Sequence, residues 1–308
     1  MPLLLIFVDG LGIGRRGGHN PLARLAPEEA APLAVFEDEE PRLPFGGVLA
    51  RTDAGLGVEG RPQSASGQTT ILTGVNAPAA LGYHKQGFPN EAMRAILREH
   101  SVFLQLARAN IGPNLFANTY TPRFFEKRPR WIAATTVAVE AAGLRFNNLQ
   151  DLLAGRSLYH DFTNHFLREP PAHPYAPAPA PEAPLRTPEE AGRILADVAR
   201  AHRFTLYEYF ITDRVGHDQN MGAALEVLAG LARFVRAALA HTDLEQTTVV
   251  LTSDHGNVED LSTRNHTLNQ VPTLAWGRAR EHVRRRVRTL ADITPAVVEI
   301  LTEEHNAQ

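Results

Sequence analysis

A chain of 308 residues, 44% hydrophobic and 21% charged, has the balance of an ordinary soluble globular protein with one large core, or one core and a modest insert. Its formal net charge of −3 gives no basis for nucleic acid or an anionic membrane as a partner. The absence of cysteine excludes disulfides, thiolate metal ligands and a cysteine nucleophile.

Residues 3–8 are a continuous apolar run closed by Asp9-Gly10, the pattern of a strand covered on both faces. The run has no basic segment before it and no small-residue cleavage site after it, so a buried first strand is expected rather than a leader. No later stretch approaches membrane length, and a cytoplasmic address is the default expectation. Gly12-Ile13-Gly14-Arg15-Arg16-Gly17 then fits G-x-G-x-x-G, with Glu37 and Asp38 further on, and admits a dinucleotide-binding alternative. Two features oppose it. His19-Asn20-Pro21 interrupts the helix that the fingerprint requires, and Asp9 would face a pyrophosphate with like charge.

The polar turn 62–70 leads into an apolar helical stretch ending at Thr73-Gly74. Ser64 or Ser66 there is either a plain helix cap or a hydroxyl held at the positive end of a helix dipole, where an alkoxide or a phosphate is favoured. In the middle of the chain, 101–109 reads as helix, 114–119 as strand, 135–142 and 148–154 as short helices, and 170–188, dense in Pro and Ala, as an extended connector. The segment 83–188 is expected to be partly core and partly a small lid, inserted between core segments 1–82 and 189–308.

Helical patterns at 188–201, 223–240 and 292–301 alternate with apolar runs at 204–211, 247–252 and 271–276. This alternation predicts an α/β fold with a mostly parallel, doubly wound sheet flanked by helices. Ligands of such sheets sit outside the carboxyl ends of the strands. Three of the runs end there in an aspartate: Asp9, Asp213 and Asp254.

Each candidate is ordinary by itself. Asp213-Arg214-Val215-Gly216-His217 reads as a polar loop, Ser253-Asp254-His255-Gly256-Asn257 is rich in turn formers, and His266 is a lone loop histidine. Together, Asp9, Asp213, His217, Asp254, His255 and His266 place three carboxylates and three imidazoles at strand ends or adjacent loops. Mixed oxygen and nitrogen ligation suits Zn or Mn, and six ligands suit two ions rather than one. Two ions about 4 Å apart clamp the attacking and leaving oxygens of an in-line displacement.

The set Asp9-Gly10, Asp213 to His217, Ser253 to Glu259 and Asn265-His266-Thr267 with Val271-Pro272 resembles the alkaline phosphatase superfamily, in particular the branch of cofactor-independent phosphoglycerate mutases and phosphopentomutases. In that pattern the nucleophile is followed at the third position by Gly and some ten residues on by another Gly. Ser64 meets both, with Gly67 and Gly74, and Ser66 meets neither. The resemblance implies that Asp9, Asp254, His255 and the Ser64 oxygen hold one metal, and Asp213, His217 and His266 the other. It covers roughly residues 1–82 and 204–302. It departs at Gln68, where the family has His, and in the shorter middle, which has no evident counterpart of the mutases' arginine-bearing cap.

The expectation is therefore a two-metal phosphoryl-transfer enzyme, using Mn or Zn, that passes through a phosphoserine at Ser64 and hydrolyses a small phosphate ester. Two alternatives stand beside it: a phosphomutase on a small sugar or glycerate phosphate, and a binding-only member of the fold. A Ser-His-Asp hydrolase is disfavoured because no Gly stands two residues before Ser64. Candidate phosphate grips in the middle are His84, Lys85, Arg123, Lys127, Arg128 and Arg130, each of which also reads as a solvated surface charge. Oligomeric state is not legible.

Overall fold

The computed structural model describes residues 1–169 and 179–306. Strand β1 (Leu3–Val8) is buried along its whole length, and its side chains alternate between two cores. Leu4, Ile6 and Val8 enter one core, and Leu3, Leu5 and Phe7 the other. Burying such side chains is worth about 1.5–3 kcal/mol each, so a continuous apolar run is stable only with helices on both faces.

β1 lies between β4 (Phe204–Tyr209) and β5 (Thr248–Ser253), parallel to both, with Val8 level with Tyr209 and Ser253. β3 (Asn114–Phe116) extends the sheet parallel to β4. β6 (Val271–Gly277) runs antiparallel to β5, and β2 (Val48–Thr52) antiparallel to β6, giving the order β2-β6-β5-β1-β4-β3. The reversed direction of β6 has a functional consequence. Its first residues lie beside the carboxyl end of β5, so a residue just before β6 reaches the same edge as residues just after β1, β4 and β5.

On one face the helix Pro188–Arg200 packs against Met221–His241. Its start is fixed by a capping box, in which Thr187 Oγ1 accepts from Glu190 N–H at 3.2 Å and Glu190 Oε2 accepts from Thr187 N–H at 2.8 Å. The other face carries Ser64–Thr73, Glu91–His100, Ala134–Ala141 and Ile293–Asn306. Leu97, Phe103, Val137 and Val139 share a core with Leu3 and Phe7, so much of the middle segment is built into the sheet's packing. The connector reading of 170–188 falls, for 170–178, outside the described residues.

The expected extent of one strand and the loop after it are corrected. The run 204–211 is strand only to Tyr209, and Ile211–Asp218 is a helix where a polar loop was expected. The dinucleotide fingerprint does not form, because no helix opens at Gly12–Gly17. Gly12 N–H instead donates to Glu259 Oε2 at 2.9 Å, and a Cβ at Gly12 would lie 2.2 Å from that carboxylate. Gly12 and Gly14 make room for this buried acid. No helix among the described residues is long and apolar enough to cross a membrane.

Candidate metal centre and nucleophile

Asp9 follows β1 and Asp254-His255 follows β5, so the two segments emerge side by side from adjacent parallel strands. Asp213 and His217 stand one turn apart on the helix that follows β4, which puts both on one helix face. His266 arrives from the loop ahead of β6. Gly10 (φ +73°) lets the first loop pass so close to Asp213 that a Cβ would lie 2.7 Å from the Asp213 Cβ. Asn257 fixes Asp213 by donating from Nδ2 to Oδ1 at 2.7 Å, and Thr212 Oγ1 donates to the Asp9 carbonyl at 2.5 Å.

Asp213, His217 and His266 form one candidate metal-holding group, their donor atoms all within 4.8 Å of one another. His217 Nε2 is 3.3 Å from Asp213 Oδ2, His266 Nε2 is 3.4 Å from Asp213 Oδ1, and the two Nε2 atoms are 3.2 Å apart. The outer nitrogens settle the tautomers. His217 Nδ1 faces the Arg264 carbonyl at 2.7 Å and His266 Nδ1 the Pro62 carbonyl at 2.9 Å. A carbonyl only accepts, so both Nδ1 atoms carry hydrogen, and in a neutral ring each Nε2 presents a lone pair inward.

Asp9, Asp213 and His255 form a second group with the same spacing. His255 Nε2 is 3.2 Å from Asp9 Oδ1 and 3.5 Å from Asp254 Oδ2, and His255 Nδ1 is 4.0 Å from Asp213 Oδ1. Asp213 thus stands between the two groups, whereas the resemblance assigned it to one. Gln68 Nε2 joins Asp9 to Asp254 from the helix Ser64–Thr73, at 3.2 and 3.3 Å.

Burial raises the carboxyl pKa of Asp9, and it raises that of Asp254 with the charge of Asp9 adding to the effect. Burial also pulls on Asp213, but its bonds with His217 and His266 outweigh that and hold it below the usual carboxylate range. Burial would lower the His255 pKa, yet the charges of Asp254, Asp9 and Asp213 push it up to about 10. The bond to Asp213 raises His217. Among the described residues, His255 Nδ1 and, apart from its ionic contact with His255 Nε2, Asp9 Oδ1 are buried with no hydrogen-bond partner, an arrangement that costs about 1–3 kcal/mol per group unless something else satisfies them. Three crowded carboxylates, inward-facing imidazole nitrogens and these orphaned donor atoms fit divalent cations bound through oxygen and nitrogen.

Ser64 opens its helix, and its Oγ lies 3.0 Å from His255 Nε2. It lines a cavity of about 490 Å³ shared with Asp213, His217 and His266. Gly67 is required where it stands, since a Cβ there would lie 2.9 Å from the Asp254 backbone and side chain. Ser66 is buried and otherwise engaged: its Oγ accepts from Lys85 N–H at 3.1 Å and donates to the Gln63 carbonyl at 3.1 Å.

Of the expected phosphate grips, His84 lines a neighbouring cavity of about 250 Å³. Lys85 is held by Ser66, and its ammonium donates to the Gln86 carbonyl at 2.6 Å. Arg128 pairs with Glu140, and Arg130 lies over the Trp131 ring. Arg123, Lys127, Arg128 and Arg130 line neither cavity. Sequence reading missed Arg61, Gln63, Gln86 and Asn265, all on the wall of the Ser64 cavity. Arg61 lines both cavities and donates from Nη1 to the His266 carbonyl at 2.9 Å. Its place three residues before Ser64 was the available signal.

Residues 186–305 match the family model described as the Metalloenzyme superfamily. A 2,3-bisphosphoglycerate-independent phosphoglycerate mutase of Desulforudis audaxviator (strain MP104C) is 30% identical over 139 residues, covering 40% of this chain and 26% of that protein. One from Antithamnion sp. is 28% identical over 108 residues, covering 32% and 21%. The match spans about a quarter of the length of these relatives. Among solved structures, the PH0037 protein from Pyrococcus horikoshii superposes with TM-score 0.55 at 15% identity, over 97% of this chain and 96% of that one. A cold-active alkaline phosphatase from Shewanella sp. superposes with TM-score 0.56 at 12% identity, over 98% and 100%. At these identities the superpositions speak for the fold.

Proposed function

We propose that the chain is a member of the alkaline phosphatase superfamily and, on that premise, a two-metal phosphoryl-transfer enzyme, using Mn or Zn, that hydrolyses a small phosphate ester through Ser64. The observation that carries this reading is the 3.0 Å approach of Ser64 Oγ to His255 Nε2 inside the cavity also lined by Asp213, His217 and His266. Asp9, Asp254, His255 and Ser64 would hold one ion, and Asp213, His217 and His266 the other. When bound, the ions lower the pKa of the Ser64 hydroxyl and neutralise charge on the phosphoryl oxygens.

The chain's own residues supply position. Ser64, first in its helix, stands at the positive end of the dipole, where a phosphate dianion is also favoured. Its hydroxyl proton passes to water as Oγ forms a bond to phosphorus and the ester P–O bond breaks, and the departing alkoxide takes a proton back from water. A second in-line attack by water frees phosphate and restores the hydroxyl. Arg61, whose Nη1 is tied to the His266 carbonyl, keeps further guanidinium donors for the phosphoryl oxygens. The side chain of His217 is 41% exposed, so the cavity is open to the water that the second step needs.

The phosphomutase reading draws support from the names of the relatives in Desulforudis and Antithamnion. The two readings separate on incubating metal-loaded protein with p-nitrophenyl phosphate, a phosphodiester analogue, and sugar and glycerate phosphates. Phosphate release supports the hydrolase, and isomer formation without release replaces it with the mutase.

A further inference from the structure

Gly87 lines the Ser64 cavity in a left-handed turn (φ +71°), and the next residue, Phe88, projects its ring at the surface, 45% exposed. That ring stacks on Trp131, itself 49% exposed, with centroids 6.3 Å apart and planes within 22°. The Arg130 guanidinium lies 5.2 Å from the Trp131 centroid. Tyr83, on the same loop as Phe88, is also about half exposed and lines the smaller cavity.

Scattered exposed apolar residues need no explanation, but a stacked pair under a guanidinium, one residue from the wall of a phosphoryl-transfer cavity, is a different arrangement. Arg61, Gln63, Gln86 and Asn265 make the wall beside Gly87 largely polar. A ring several bonds from the phosphorus would extend over the rim towards Phe88.

Resting on the hydrolase reading above, we propose that Phe88 and Trp131 form a stacking platform for an aromatic or heteroaromatic ring carried by the substrate. The preferred esters are then ring-bearing phosphates of the nucleoside monophosphate type. The phosphate enters the cavity at Ser64, the sugar spans the polar wall past Gln86, and the base lies against Trp131.

Adenosine 5′-monophosphate and ribose 5-phosphate differ only by the base and make a matched pair of probes. The kcat/KM ratio between them in the metal-loaded enzyme is expected to be tenfold or more, as base–aromatic stacking commonly gives, to fall towards one in Trp131→Ala, and to be largely kept in Trp131→Phe. A ratio near one in the unaltered protein, or one unchanged by Trp131→Ala, overturns the platform. Binding is read separately in metal-loaded Ser64→Ala. Of the two tryptophans, Trp276 is buried with its Nε1 bonded to the Pro44 carbonyl, so quenching by added ligand reports Trp131. Adenosine monophosphate should quench and ribose 5-phosphate should not. If no ester is turned over, the hydrolase reading fails while this quenching still upholds the platform. Turnover without quenching sinks the platform alone.

Discussion

Gln68 donates from Nε2 to Asp9 Oδ2 at 3.2 Å, and the same nitrogen lies 3.3 Å from Asp254 Oδ2. One neutral amide therefore spans two buried carboxylates at the ends of adjacent strands, at the position where the resembled family carries His. Gln68→Ala removes both donors and leaves like charges facing each other, which should cost about 1–3 kcal/mol in chelator-treated protein. Divalent ions should recover most of the loss. Urea denaturation with and without chelator checks this, and equal stability of variant and parent in chelator would contradict it.

Ser64 and Ser66 should separate cleanly by role. Ser64→Ala should lower kcat by about 10³-fold or more while metal content stays largely intact, the three remaining ligands still holding the ion. Ser66→Ala loses the bond that pins Lys85, so it should cost about 1 kcal/mol of stability and disturb turnover far less. Steady-state kinetics and thermal denaturation of both variants decide the assignment.

Asp213 lies 3.4 Å from His266 Nε2 by its Oδ1, and 4.0 Å from His255 Nδ1. A residue placed between two groups should affect both. Asp213→Ala is expected to weaken both bound ions, whereas His217→Ala should weaken one. Metal content after dialysis against a graded chelator distinguishes the two patterns. Retention of two ions by Asp213→Ala would show that it holds neither.

Buried Glu208 gives a pH dependence. Burial pushes its carboxyl up to about 7, against the bond it accepts from Thr135 Oγ1, with the charge of Asp9 adding to the rise. An acid with a raised folded pKa binds more protons folded than unfolded, so stability is lost as pH climbs from about 4.5 to about 7. That loss amounts to about 3 kcal/mol. Glu208→Gln keeps an acceptor for Thr135 and should flatten this part of the profile in chelated protein. Denaturation midpoints at pH 5 and pH 8 measure it, and parallel profiles in parent and variant would refute it.

The α/β sheet and the edge carrying the site were legible because β1 is an unbroken apolar run, β4 and β5 are largely apolar, and an aspartate follows each, the pattern expected of doubly covered strands that open onto a site. The helix Ile211–Asp218 was not legible, since Thr212, Asp213 and Gly216 are turn formers and its helicity depends on burying Ile211 and Val215 in the core. β2 was also missed. Its sequence, Val-Leu-Ala-Arg-Thr, carries little strand signal and is fixed by pairing with β6. Six candidate metal-holding residues could be named because Asp and His at strand ends are few. Arg61 and Gln63 could have been found from their places just before Ser64, whereas Gln86 escaped because its contact with the cavity depends on how the loops fold back, which no spacing encodes.

The central claim is a covalent intermediate on Ser64, and trapping it is the most direct test. Metal-loaded protein is mixed with p-nitrophenyl phosphate, quenched in acid within one turnover, digested and read by mass spectrometry. The account predicts one phosphoryl group on the peptide containing Ser64, absent from Ser64→Ala and formed in step with a burst of nitrophenol. Nitrophenol release with no phosphorylated Ser64, or with phosphate on another residue, would contradict it.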